Sequence, residues 1–366
     1  MGLGRWREMR RVAHEGLSRF SKQYQPQQER DALDLVSALL REPAAYTEHI
    51  LRAASSSILS TIYGWPPLRS EDDQVVQRIN DIVHRLTEAA LPGAYVVDFF
   101  PYMLRLPVWI AKWKRQGLEW QRESSRLFEH LLEDVRGIIK SGGKPTCFLA
   151  TVLENEKKYT LTTQESGWLS GTLFAAGADT TATSLTAFVL AMTLYPDRMP
   201  SFADQAHLPY IRAVVKEVLR WWPPGPLAIP RRSTQVSITK LLAKQGLKIR
   251  DQDDWYNDYY IPKGKFQVNV QDRDPNYFPD YEGFRPERFL DESGQVDVSP
   301  PDTHSRGQVT FGFGRRICAG MNWANQALFI NIALILWAAN IGRAVDAEGV
   351  EIIPSMDVFS DRGLAV

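Results

Sequence analysis

The sequence predicts a mainly α fold, and two features of its 366 residues carry that prediction. Apolar residues recur at three-and-four spacing, with charges between them, over Arg5 to Phe20, Gln27 to Leu40, Tyr46 to Ile62, Gln74 to Ala90 and Gln121 to Lys140. This is the pattern of helices that bury one face. A further helix opens at Thr162-Thr163-Gln164-Glu165, where Glu165 stands three after Thr162 as a capping box requires, and runs to about Leu194 before Pro196 breaks it.

Composition bounds the function. Forty-three basic residues balance forty-three acidic ones, so nothing argues for nucleic-acid binding or a polybasic membrane tail. Two cysteines, Cys147 and Cys318, cannot build a disulfide framework, which points to a reduced, intracellular protein. Met1-Gly2-Leu3-Gly4 leads straight into the charged run Arg5 to Arg11, not into the apolar core of a signal peptide.

Between the amphipathic segments lies Leu91 to Trp113, Pro-broken and rich in aromatics. It reads as a cover over a cavity, a membrane-touching surface or a core-packing corner. Inside the long helix, Ala175-Ala176-Gly177-Ala178-Asp179-Thr180-Thr181 combines small residues with β-branched threonines that form helix poorly. Small residues admit a flat cofactor, and a helical threonine can bond a preceding carbonyl and loosen the ladder. Asp179 and Thr180 then offer an acid and a hydroxyl for proton delivery. A plain helix-crossing site explains the same residues.

Glu217 and Arg220 share a helix face at i and i+3, which alone is an ordinary surface ion pair. Arg288, in Pro286-Glu287-Arg288-Phe289, completes a charge cluster with a structural role if it folds against them. The most specific signal is Phe311-Gly312-Phe313-Gly314-Arg315-Arg316-Ile317-Cys318-Ala319-Gly320, which reads as a haem-binding cysteine loop. A thiolate ligates haem iron, glycines let backbone approach the porphyrin, and arginine pairs with a propionate. The apolar stretch Trp323 to Ile341 follows directly, and Asn325, Gln326 and Asn331 mark it as a buried helix rather than a membrane span.

In this order the elements resemble the cytochrome P-450 family, the haem-thiolate monooxygenases. The small-residue helix looks like the oxygen-activating helix, Glu217-x-x-Arg220 like the E-x-x-R motif, Pro286 to Phe289 like the PERF segment and Cys318 like the iron ligand. The texture of Tyr260-Ile261-Pro262-Lys263-Gly264 and of the cysteine loop is similar to fungal microsomal members.

The resemblance implies a cytochrome P-450-like helical fold with a reduced small β-sheet, as one domain over 1–366 that is incomplete at both termini. It implies heme b ligated axially by Cys318, with Asp179 and Thr180 protonating the distal oxygen. Trp6, Arg10, Arg231 and Arg316 match positions that hold the propionates, while Phe311, Gly314 and Gly320 belong to the loop against the porphyrin. Glu217, Arg220 and Arg288 would support that loop.

The implied reaction inserts one atom of O2 into an apolar organic substrate, with electrons from an NADPH-dependent cytochrome P-450 reductase. Relatives sit on the endoplasmic reticulum membrane. This chain opens where the family's third main helix begins and is expected to lack the anchor, the first two helices and the final hairpin; the resemblance implies the endoplasmic reticulum membrane, and a product truncated in this way is expected in the cytoplasm. Val236 to Arg250 resembles nothing at its position and reads as an insertion or translated intron, and another helix is expected to be missing after Tyr195-Pro196-Asp197. A catalytically defective fragment or pseudoenzyme of the same family is the alternative reading.

Overall fold

In the computed structural model, the described residues are 3–19, 21–68, part of 77–89, 93–196, 208–225, 271–296 and 309–354, with short strands at 231–232, 254–256, 259–261 and 266–267. The first helix, α1 (Leu3–His14), passes into a π-turn over Glu15–Arg19, short of the α-helix expected to Phe20. Then come α2 (Gln25–Arg41), α3 (Tyr46–Tyr63), the single turn α4 (Val96–Phe99) and α5 (Lys112–Lys140). Helix α5 starts well before Gln121, because the charges of its first turns bond backward: Lys114 Nζ donates to the Leu104 and Leu106 carbonyls.

Two short helices follow, α6 (Phe148–Glu154) and α7 (Glu156–Tyr159). The long helix α8 (Thr163–Leu194) begins at the expected capping box, Thr162 accepting from the Glu165 N–H while the Glu165 side chain accepts from Thr162 N–H. Next come α9 (Leu208–Trp221) and, after the cysteine loop, α10 (Met321–Ala338). The strands form two antiparallel pairs: β1 (Arg231–Arg232) and β4 (Phe266–Gln267), and β2 (Asp254–Tyr256) and β3 (Tyr259–Ile261). Gln74 to Ala90, in large part, and the segments 198–202 and 236–250 lie outside the described residues.

Helices α8 and α10 are the spine. Phe174, Ala175 and Ala178 of α8 pack with Trp323 and Ala327 of α10, Ile58 and Ile62 of α3, and Phe128 and Leu131 of α5 in one cluster. Leu185, Phe188 and Met192, farther along α8, pack with Leu328, Ile332 and Ile335 of α10 and Val214 and Val218 of α9 in a second. Among the described residues α8 is long and apolar enough to cross a membrane, but 61% of its apolar window is buried inside the fold. It is a core helix.

The aromatic segment between Leu91 and Trp113 carries several of its large side chains outward. Phe99, Tyr102 and Trp109 are 69%, 68% and 76% exposed, so these three do not pack a core corner.

Candidate functional site

The cysteine loop is shaped by its glycines. Gly312 and Gly314 hold φ of +70° and +57°, the left-handed region where a side chain would clash with its own backbone. Nothing lies near the side-chain position of Gly314, so among protein atoms the turn rather than close approach requires glycine there. A 3₁₀ turn over Gly314–Arg316 brings the chain back, and the Cys318 N–H donates to the Phe311 carbonyl at 2.8 Å to close the loop.

Cys318 sits just ahead of α10, and the N–H groups of Gly320 and Met321 bond to its sulfur. A helix N-terminus favours negative charge on that sulfur. The side chain is exposed. Desolvation by the surrounding loop raises the thiol pKa, opposed by the Gly320 and Met321 N–H groups and by the Arg10 guanidinium. Cys147 is a different kind of cysteine: 1% exposed, it caps α6 by accepting from Ala150 N–H, and burial pushes its thiol up to about 11.

Helix α1 brings the cations. Arg10 donates to the Ile317 carbonyl, adjacent to the cysteine. The Arg316 guanidinium lies 3.6 Å from the Trp6 ring centroid. Arg5 Nε donates to Glu165 at 2.8 Å, tying α1 to the capped start of α8. Trp6, Arg10, Arg316 and Cys318 are thus gathered around one loop. Arg231 lies on β1, and its side chain falls outside the described residues.

On α8, Thr172, Ala176 and Thr180 recur every four residues as an exposed stripe, the only positions of the helix beyond its first turn that are neither buried nor half-buried. Thr180 Oγ1 donates to the Ala176 carbonyl at 2.7 Å. The expected loosening of the ladder does not occur, since the helix is α throughout; the hydroxyl adds to the carbonyl's bonding instead of replacing the backbone donor. Asp179 is half-buried, and desolvation raises its pKa.

Gly177 belongs to packing. A side chain there would meet Ile58 Cγ1 at 2.8 Å, so this glycine serves the crossing of α8 with α3, and the stripe open to a flat ligand is set by its neighbours.

Glu217 and Arg220 are far from a surface pair, being 0% and 2% exposed. Arg220 grips Glu217 through two bonds of 2.7 and 2.8 Å and donates to the carbonyls of Asp272, Tyr281 and Gly283. Arg288 Nε reaches Glu217 at 3.2 Å and also holds the Pro279 and Asp280 carbonyls. A buried charge persists only when paired and bonded in this way. Two residues that no sequence motif singled out join this region: Asp272, whose backbone carbonyl accepts from Arg220 at 3.1 Å, and Thr310, whose hydroxyl donates to the Leu219 carbonyl at 2.8 Å just ahead of the cysteine loop.

A thiolate-ligated haem needs an accessible cysteine sulfur, cations for its propionates and a wall without bulky side chains. These residues fit. Cys318 has its amide donors, Arg10 and Arg316 stand beside it, and Ala319 packs against the same core cluster as Ala175 and Ala178 of α8.

The family model described as Cytochrome P450 matches residues 2–338. Cytochrome P450 monooxygenase 253 of Postia placenta is 48% identical over 385 residues, spanning 99% of this chain and 70% of that protein. Cytochrome P450 monooxygenase 58 of the same fungus is likewise 48% identical over 385 residues, with the same shares of 99% and 70%. A cytochrome P450 monooxygenase of Armillaria gallica is 42% identical over 380 residues, spanning 98% of this chain and 70% of its own length. A cysteine loop fitted to haem and family similarity along nearly the whole chain lead to one conclusion: the chain belongs to the cytochrome P450 family, as a haem-dependent monooxygenase similar to the fungal members named above.

Proposed function

We propose that Cys318 is the axial iron ligand and that the chain oxygenates an apolar organic substrate with electrons from an NADPH-dependent cytochrome P450 reductase. The observation that carries the ligand assignment is the contrast between the two cysteines: Cys147 is a buried helix cap, whereas Cys318 is exposed at a helix N-terminus with amide donors and Arg10 around it. When bound, haem supplies the dioxygen chemistry, so that one oxygen atom enters the substrate and the other leaves as water.

The chain's own residues prepare this. The Gly320 and Met321 N–H groups hold negative charge on Cys318 Sγ. Arg10 and Arg316 pair with the anionic propionates, Arg316 being kept flat by Trp6. Thr180 Oγ1 has spent its proton on the Ala176 carbonyl, so its lone pairs face outward to accept from a water, while Asp179, its pKa raised by desolvation, supplies the proton. Leu173 and Ala176 leave the wall apolar, which favours an apolar substrate.

We further propose contact with the endoplasmic reticulum membrane through residues 96–110. Val96, Phe99, Phe100, Tyr102, Leu104 and Trp109 form an exposed apolar set beside Arg105 and Lys112, the composition of an interfacial surface. Phe99→Ser with Trp109→Ser should abolish co-sedimentation with anionic phospholipid vesicles; unchanged binding would rule out this surface.

The ligand assignment is tested by reducing the haem-loaded protein under carbon monoxide. A thiolate-type Soret band in the wild type that disappears in Cys318→Ala is expected. The same band in the variant would overturn it.

A further inference from the structure

We propose that Glu165 is a positioning residue for the haem propionates, acting through Arg5 to hold the part of α1 that carries Trp6 and Arg10. The inference rests on the reading of Arg10 and Arg316 as the propionate partners. Trp6 and Arg10 reach the cysteine loop only if α1 lies at the right angle to it. Val12 and Ala13, 1% and 3% exposed, seat the C-terminal end of α1 in the core, whereas Arg5, Trp6, Met9 and Arg10 are only half-buried. Apolar burial thus pins one end and leaves the tilt of the other to polar contacts. A tilt of roughly 6° about Val12 would carry Trp6, about 9 Å away along the helix, by about 1 Å.

The polar contacts come from one corner, the turn between α7 and α8. Arg5 Nε donates to Glu165 Oε1 at 2.8 Å, and Arg5 Nη2 donates to Glu165 Oε2 and, at 3.0 Å, to the Thr160 carbonyl. Two parallel bonds from a guanidinium to a carboxylate fix direction as well as distance. Just past the other end of α1, Glu15 accepts from Lys158 Nζ at 2.5 Å. Both ends of the helix are therefore tied to residues 158–165.

Glu165 has two tasks with different requirements. Its carboxylate accepts from the Thr162 N–H at 2.9 Å and completes the capping box of α8. Glutamine can fill that place in a capping box, so the box does not need the charge. Arg5 does. Its bond holds the Glu165 carboxyl down at about 2, and the pair stays charged throughout the neutral range.

From Arg5 the restraint passes along α1 to two contacts with the cysteine loop. Trp6, the next residue, lies 3.6 Å from the Arg316 guanidinium, and Arg10 donates to the Ile317 carbonyl. The capped start of the long helix thereby sets where the cations beside Cys318 stand.

The test compares haem dissociation from the loaded protein, read as transfer to an acceptor globin, for native haem and for haem whose propionates are esterified. Glu165→Gln keeps the capping box, so the unfolding midpoint of the haem-free chain should stay nearly unchanged. Native haem should leave this variant about two- to fivefold faster, the range of a solvent-accessible ion pair. Arg5→Ala should match it, and the double variant should be no faster than either single one. With esterified haem, Glu165→Gln and the wild type should dissociate at the same rate. Wild-type retention of native haem in Glu165→Gln, an equal acceleration with both haems, or additive effects of Arg5→Ala and Glu165→Gln would each overturn the proposal. Arg10→Ala checks the underlying reading separately: it should release native haem faster, and a wild-type rate there would overturn the propionate assignment itself.

Discussion

Arg316 stacks on Trp6, its guanidinium carbon 3.6 Å from the ring centroid, joining the cysteine loop to α1. Both residues are polar or amphipathic and neither is fully buried, so the contact orients the guanidinium more than it stabilises the fold. Trp6→Ala should leave the unfolding midpoint of the haem-free chain nearly unchanged while haem dissociates several-fold faster, consistent with about 1 kcal/mol for a partly exposed cation–π pair. Trp6→Phe should recover part of the retention. Stopped-flow haem transfer to an acceptor globin measures both.

Glu217 is the single anion that receives both Arg220 and Arg288, and its Oε1 also accepts from the Arg285 N–H at 2.8 Å. Glu217→Ala should cost about 3–5 kcal/mol, because it leaves buried guanidiniums without a counter-charge. Glu217→Gln retains one acceptor and should cost less. Urea denaturation of the haem-free chain gives the ranking.

The side-chain position of Gly177 falls 2.8 Å from Ile58 Cγ1 and 2.9 Å from Ile58 Cδ1. Gly177→Ala should therefore destabilise by about 1–3 kcal/mol, despite the better helix propensity of alanine, because Ile58 is 2% exposed and has no room to retreat. Ile58→Ala removes both clashing atoms. The double variant should be more stable than the two single losses summed, which a double-mutant cycle reads directly.

Asp31 of α2 is 4% exposed, and its Oδ2 lacks a partner. Burial pushes its pKa up from 3.8 to about 6, against the bonds from Gln27 and Ser57. Since the folded carboxyl binds its proton more tightly than the unfolded one, Asp31 opposes folding above about pH 6, and this penalty fades as pH falls toward the unfolded value. Asp31→Asn should stabilise the chain at neutral pH by up to about 3 kcal/mol and confer no gain near the unfolded pKa. Thermal melts at the two pH values distinguish this from a pH-independent packing effect.

Features written locally in the sequence were legible. The capping box fixed the start of α8 to the residue, because Thr162 and Glu165 bond each other and need nothing distant. The helix spacing found α2 and α3 within two residues of their ends for the same reason. What escaped depends on partners far along the chain. Glu217 and Arg220 look like a surface pair until the Tyr281 and Gly283 carbonyls arrive to satisfy the guanidinium and exclude water. Gly177 suggested a cofactor wall because nothing in its neighbours names Ile58. Asp272 carried no local signal, since its part in the cluster is a backbone carbonyl that accepts from Arg220, 52 positions away.

The bond from Arg10 to the Ile317 carbonyl also bears on how the protein comes into being. It spans 307 positions, and Gln28 meets the Trp323 carbonyl across 295. During synthesis, α1 and α2 leave the ribosome long before the segment that completes their packing, so an early helical cluster must wait with its apolar faces uncovered. Haem capture is then a late event, gated by emergence of the cysteine loop and α10, and chaperone occupancy of nascent chains halted before Ile317 should fall sharply once that segment is released.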